Sequence, residues 1–299
     1  MKIRAWLQAA RLRTLPLSVS GILVGSFYAF SQGFTNWLIL LFSLLTTLGL
    51  QVLSNFANDY GDGVKGTDDE NRIGPARAVQ SGAITAAAMK KAVALTAGLT
   101  LATAVILIYI SFGKADFAYS VFFFLLGVAA ISAAIKYTVG NSAYGYRGLG
   151  DVFVFIFFGL VSVLGCYFLY AKNLDTLLVL PAVSVGLLSV AVLNLNNMRD
   201  RVTDALAGKN TLVVKIGAVR AKQYHYIIIS TALTLTMLFA ILMGFRVVQY
   251  IFIVAYLPLI WHLVVVKRND IPKALDPELK KVALSTFLLS VLLCIALQL

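Results

Sequence analysis

The chain is poor in the residues that build metal centres from sulfur or nitrogen, and poor in charge altogether. Its 299 residues include 2 cysteines, 2 histidines and 13 acidic side chains. Cys166 and Cys294 both fall inside long apolar runs, which argues against a disulfide framework. His225 and His262 are too few for a histidine-ligated zinc or iron centre. Charged residues make up only 13% of the chain, against about 25% in an ordinary soluble domain. No linker or low-complexity tract divides the sequence, so a single domain over 1–299 is expected. What fills the chain instead is apolar: 60% of the residues are hydrophobic.

Nine apolar runs can be marked, at about 15–31, 36–57, 86–112, 116–135, 149–171, 174–197, 222–243, 247–266 and 281–298. Most reach the roughly 17 to 25 residues that a helix needs to cross a bilayer. The expected fold is therefore all-α, a polytopic membrane bundle of about nine transmembrane helices around a central cavity. The segment before the first run is basic and amphipathic but has no persuasive cleavage site, so that run is read as a retained helix.

Lysine and arginine collect on the cytoplasmic side of membrane proteins. With nine spans, all of the 25 basic residues except Lys114, Lys172 and Arg246 fall on the side of the N-terminus. That asymmetry predicts a cytoplasmic N-terminus and an integral, multi-pass protein in contact with the lipid bilayer. The net charge of +12 then follows from loop bias, anionic lipid and an anionic substrate. No nucleic-acid motif accompanies it, so no nucleic-acid partner is expected.

Against this background two acidic clusters stand out, because a charged side chain near the membrane is a functional hypothesis by default. Asn58-Asp59-Tyr60-Gly61-Asp62 follows the second run, and Asn197-Met198-Arg199-Asp200-Arg201-Val202-Thr203-Asp204 follows the sixth. If the helices continue into these segments, Asp59 and Asp62 are three residues apart and Asp200 and Asp204 four, which places each pair on one face. Carboxylates held so close repel unless a cation intervenes. Oxygen ligands without cysteine or histidine suit Mg2+, which completes its shell with water and substrate phosphates. Lys65, Arg72, Arg77, Lys136, Arg199 and Lys209 lie in the same regions, and acids beside bases point to a diphosphate. Both clusters then face the cytoplasm.

Plainer readings compete at several positions. Asp68, Asp69 and Glu70 fit a solvated loop as well as a metal site. Asn55, Asn194 and Asn196 are read as hydrogen-bonding glue between helices, while Asn58 and Asn197 are read as functional. Lys90, Lys91, Lys267, Arg268, Lys280 and Lys281 are taken as topology markers alone. The segment from Lys136 to Asp151 is rich in glycine and tyrosine. Tyr144 and Tyr146 are assigned to an interfacial aromatic belt, whereas Tyr137 stands equally well as a stacking surface for an aromatic substrate.

The clusters resemble the two signatures of the UbiA-type intramembrane prenyltransferases, Asn-Asp-x-x-Asp and Asp-x-x-x-Asp. Within that family the chain is most similar to the branch that prenylates 1,4-dihydroxy-2-naphthoate in menaquinone synthesis. The resemblance is carried by Arg13-Thr14-Leu15-Pro16, Asn58-Asp59-Tyr60 through Gly66-Thr67-Asp68, Arg72-Ile73-Gly74-Pro75 with Gly82-Ala83-Ile84-Thr85, Lys136-Tyr137-Thr138 through Gly148-Leu149-Gly150-Asp151, and Asn197-Met198-Arg199-Asp200 through Ala207-Gly208-Lys209. It covers about residues 11–220. Gly66 stands where the general family often has a third aspartate, with Asp68 two positions later, and Asn210 follows Lys209 where arginine is expected.

The resemblance implies a magnesium-dependent transfer of a polyprenyl group from its diphosphate to dihydroxynaphthoate, releasing diphosphate and carbon dioxide and giving a demethylmenaquinol. It implies a bacterial inner membrane. Asp59, Asp62, Asp200, Asp204 and Lys136 would be catalytic. Asn58, Asp59, Asp62, Asp68, Asp200 and Asp204 would hold metal, and Asn58, Lys65, Arg72, Tyr137, Asn197 and Lys209 would bind substrate. A related enzyme using 4-hydroxybenzoate or homogentisate is the nearest alternative. A divalent-cation transporter is the alternative from another class, although its acids belong near mid-membrane rather than at helix ends.

Overall fold

The computed structural model describes residues 2–66 and 77–299; Asp68, Asp69, Glu70 and Arg72 lie outside the described residues. The described elements are helices: α1 (Lys2–Ala10), α2 (Leu15–Ser31), α3 (Trp37–Lys65), α4 (Ala86–Phe112), α5 (Phe117–Lys136), α6 (Gly150–Ala171), α7 (Val179–Leu206), α8 (Leu212–Leu242), α9 (Val247–Arg268) and α10 (Asp276–Gln298). Among the described residues nine helices are long and apolar enough to cross a membrane, the number expected from hydropathy.

Short polar caps explain where several begin. Asn36 accepts from the backbone N–H groups of Leu38 and Ile39 at 3.0 and 3.3 Å, and Thr85 and Thr211 cap α4 and α8 in the same way. Gly66 ends α3 in the left-handed region at φ 67°, a conformation that glycine adopts without steric cost. Gly217, at φ 80°, kinks α8 near its start.

Two helices overrun their apolar stretches. α3 continues to Lys65 and α7 to Leu206, so Asn58, Asp59 and Asp62 ride on one and Asn197, Asp200 and Asp204 on the other. The sequence condition for pairing the acids along helices is therefore met.

Large apolar side chains such as Phe117, Phe122 and Leu125 on α5 and Leu95 and Leu99 on α4 point outward; on spanning helices such surfaces meet lipid tails. Inside, small residues let backbones touch, as membrane packing requires. A Cβ on Gly159 of α6 would stand 2.7 Å from both the Ala182 carbonyl oxygen and the Gly186 Cα of α7, and one on Gly25 of α2 would stand 2.4 Å from the Val163 carbonyl oxygen. Polar groups tie the same helices. Ser184 of α7 donates to the Ala232 carbonyl of α8 at 2.8 Å. The two histidines join a buried chain across four helices: Asn194 Oδ1 to His225 Nδ1 at 3.2 Å, His225 Nε2 to His262 Nε2 at 2.8 Å, and His262 Nδ1 to Glu278 Oε2 at 2.5 Å.

Candidate functional site

A cavity of about 400 Å³ opens among α2 to α7 and α10, within the usual size of a small-molecule site. Its face on α3 runs Ser43, Thr46, Thr47, Leu50, Gln51, Ser54, Asn55, Asn58, Asp62, a stripe at helical spacing. Leu107, Ile108, Phe123, Leu126, Phe157 and Val161 make the apolar part. Arg11, Arg13, Asn58, Asp62, Arg77 and Lys209 give it a polar, charged part.

The first acidic pair divides its tasks. Asp62, 1% exposed, faces the cavity. Tyr146 donates its hydroxyl to Asp62 Oδ1 at 2.8 Å, and Arg77 Nη2 donates to Oδ2 at 2.9 Å. Asp59, 2% exposed, turns to the chain beyond α3 and accepts from the backbone N–H groups of Ala78 and Val79 at 3.0 and 2.9 Å. Residues three apart on a helix diverge by about 60°, enough for one to face a cavity and the other a neighbouring segment. Asn58 lines the cavity and accepts from the Thr138 hydroxyl at 3.2 Å.

The second pair is matched by cations close in sequence. Arg199, only 1% exposed, donates from Nε and Nη2 to the two oxygens of Asp200 at 2.8 and 2.6 Å, and from Nη1 to Asp276 of α10 at 2.5 Å. Lys209 Nζ stands 3.7 Å from Asp204 Oδ1. The cavity face of α7 is Ser189, Val192, Leu193, Asn196, a stripe that Asp200 continues at the next turn. Asn196, which accepts from Arg199 at 2.9 Å, thus lines the cavity, while Asn197 is buried outside its lining.

Tyr137 lines the cavity next to Tyr144. Burial, together with the nearby charge of Asp151, raises the Tyr137 phenol above its ordinary pKa, and burial does the same to Tyr144, so both remain protonated donors at neutral pH. Tyr144 donates to the Ala133 carbonyl at 3.0 Å. Lys65 donates to the Thr138 carbonyl at 2.8 Å. Lys136 is exposed at the end of α5, outside the cavity lining.

Several participants escaped the sequence reading. Tyr146, read as an interfacial aromatic, bonds Asp62; Lys280, read as a topology marker, lines the cavity from α10; Arg11 and Arg13 line it from the break between α1 and α2. Arg11 adopts a left-handed φ of 50° there, unusual for a residue with a side chain, and Pro16 in the first turn of α2 marks the same break in the sequence.

Among the described residues no three histidine, cysteine, aspartate or glutamate side chains form a ready metal cage. The available donors are hard oxygens, and Asn58 and Asp62 open onto the cavity. That set fits Mg2+, which takes one or two carboxylates and leaves the remaining positions to water and phosphate.

The family model for the UbiA prenyltransferase family matches residues 18–296. The chain is 42% identical to a 1,4-dihydroxy-2-naphthoate octaprenyltransferase of Haemophilus influenzae, covering 99% of this chain and 96% of that protein. It is 43% identical to the Escherichia coli protein of the same name, over 97% of this chain and 95% of the relative. Its fold is similar to a UbiA homolog from Archaeoglobus fulgidus solved bound to GPP and Mg2+, with a TM-score of 0.66 and 16% identity over 97% of this chain and 99% of the other.

Proposed function

The chain belongs to the UbiA prenyltransferase family, and from that premise we propose that it is a magnesium-dependent enzyme transferring a polyprenyl group from polyprenyl diphosphate to 1,4-dihydroxy-2-naphthoate. The observation that carries this reading is a single cavity, charged where Asn58, Asp62, Arg77 and Lys209 meet and apolar along Leu107, Phe123, Leu126 and Phe157. A substrate with an anionic head and a long hydrocarbon tail matches both parts. The names of the H. influenzae and E. coli relatives support the naphthoate acceptor.

Asn58 and Asp62 would hold Mg2+ from α3 and Asp200 and Asp204 from α7, while Asp59, whose oxygens accept from the Ala78 and Val79 N–H groups, would brace the end of α3. The bound ion supplies Lewis-acid neutralisation of the diphosphate oxygens. Arg77, Lys65 and Lys209 share the charge that grows on the leaving group as the allylic carbon–oxygen bond breaks and its electron pair departs with diphosphate; Lys136, exposed outside the cavity lining, is given no part in that step. The apolar wall excludes water from the electron-poor allylic carbon. The ring carbon bearing the carboxylate forms the new carbon–carbon bond, and carbon dioxide leaves, returning its bonding pair to the ring. Tyr137, a protonated donor at the cavity wall, would orient the naphthoate oxygens. The excess of basic residues on the side of these helix ends supports a site open to the cytoplasm.

Purified protein incubated with Mg2+, labelled polyprenyl diphosphate and separately with dihydroxynaphthoate, 4-hydroxybenzoate and homogentisate should label only the first and release carbon dioxide. EDTA should abolish the product and Mg2+ restore it. Label appearing on another acceptor, or none at all, would defeat the reading.

A further inference from the structure

Tyr146 stands where the two acidic clusters come nearest to sharing a partner. Its hydroxyl donates to Asp62 Oδ1 at 2.8 Å. Lys65 Nζ lies over its ring, 4.1 Å from the centroid, and Lys209 Nζ lies 5.6 Å from the same centroid. Lys65 belongs to the last turn of α3, whereas Lys209, beside Asp204, follows α7. One side chain on the loop between α5 and α6 therefore touches an acid and a base of the first cluster and the base of the second.

The loop is built to hold that side chain still. The Tyr146 carbonyl accepts from the Asn210 N–H at 3.0 Å, and the Arg147 carbonyl accepts from Lys215 Nζ at 2.7 Å, so the turn is fastened to the segment that carries Lys209. On its other side Gly145 donates its N–H to the Tyr137 carbonyl at 3.0 Å. A Cβ at Gly145 would stand 2.6 Å from that carbonyl oxygen, so the approach requires glycine.

We propose that Tyr146 is the positioning residue that couples the two clusters: its hydroxyl orients Asp62 toward the metal, and its ring keeps Lys65 and Lys209 gathered for the substrate's diphosphate. This assignment rests on the prenyltransferase reading above. Each carboxylate oxygen has two acceptor sites, so the phenol's hydrogen bond to Asp62 Oδ1 does not by itself prevent that carboxylate from ligating a cation. Partners of this kind fix the orientation of a metal ligand. Two ammonium groups repel, and the negative face of an aromatic ring offsets part of that repulsion. A diphosphate carries full negative charge and outcompetes the ring, drawing both lysines onto itself from a short distance.

The two halves of the assignment separate by substitution. Tyr146→Phe keeps the ring and removes the hydroxyl, and it should raise the half-saturating Mg2+ concentration for turnover by roughly 10-fold, as loss of an outer-sphere partner does. At saturating Mg2+ its KM for prenyl diphosphate should stay within about twofold of wild type, because the ring remains. Tyr146→Leu should additionally weaken inorganic pyrophosphate binding, read by calorimetry in the presence of Mg2+, by roughly fivefold or more relative to the Phe variant. Lys65→Met should weaken the same binding by a similar factor, and its effect should shrink in the Leu background. That comparison decides the ring's role even where Leu lowers the yield of folded protein, since Lys65→Met is also measured against the Phe variant. A Phe variant with a wild-type Mg2+ dependence overturns the hydroxyl's role; pyrophosphate affinity that is unchanged by Lys65→Met or equal in the Leu and Phe variants overturns the ring's. Failure of wild-type protein to prenylate dihydroxynaphthoate would defeat the functional reading instead, because the pyrophosphate titrations do not involve the acceptor.

Discussion

The ends of α3 and α7 look alike in sequence, asparagines followed by spaced aspartates, yet their carboxylates are held in different ways. At the end of α3 the partners come from elsewhere in the chain: backbone N–H groups of residues 78 and 79 for Asp59, and Arg77 and the Tyr146 phenol for Asp62. At the end of α7 they are local cations, Arg199 next to Asp200 and Lys209 near Asp204, with Arg199 tied in turn to Asp276. The first cluster presents an acid to the cavity, where Asp62 is part of the lining. The second pairs its acids with cations close to them in sequence. Similar motifs are thus held by different means, distant partners at one helix end and near neighbours at the other.

The largest expected effect breaks this contrast most directly. Asp62→Asn should lower turnover by roughly 1,000-fold through lost electrostatic stabilisation and cost about 3–5 kcal/mol in stability, because it takes a counter-charge from the buried Arg77. An unchanged denaturation curve would show that the pair at the end of α3 carries no stability. Asp200→Asn should also nearly abolish turnover, again at a cost of about 3–5 kcal/mol in stability, because it leaves the buried Arg199 short of one of its two counter-charges. Replacing both members, Arg199→Met with Asp200→Leu, should return most of the stability without returning activity. Turnover retained in Asp200→Asn would confine the chemistry to the cluster at the end of α3.

A smaller effect sharpens it. Gly186→Ala on α7 places a Cβ 2.9 Å from the Phe155 ring and 3.1 Å from its carbonyl oxygen, and overpacking of this kind costs about 1–3 kcal/mol. Turnover per folded molecule should stay within about twofold of wild type. Activity that collapsed along with stability would mean that α7 transmits packing changes to Asp200, so that loss of charge alone does not explain the Asp200→Asn result.

Much of this was legible in the sequence because two strong signals are local. Hydropathy marks a spanning helix without reference to any other part of the chain, so the nine runs and the loop charges were readable. The acids were readable because carboxylates at helical spacing, with bases close by, follow two of the apolar runs. The divergence of Asp59 from Asp62 was not, since spacing alone cannot say which neighbour lies on which side of a helix. Asn196 rather than Asn197 lines the cavity for the same reason: a 100° step decides it, and the cavity's direction comes from packing. Tyr146 and Lys280 were set aside because each belongs to a class that is common at membrane interfaces, and only contacts across distant segments distinguish them.

The overrun of α3 and α7 has one more consequence. At about 1.5 Å per residue their 29 and 28 residues extend some 42–44 Å, against about 30 Å of hydrocarbon. Helices that are too long for a bilayer often tilt to hide the excess, but the last turns here carry Asp62, Lys65, Asp200 and Asp204 and gain nothing from being hidden. Such ends would hold the bundle at one height relative to the lipid surface. On the proposed function, a lipid-dissolved substrate entering the cavity would meet these groups at a set depth, so that helix length would gauge the position of the bond presented for cleavage while the tail varied.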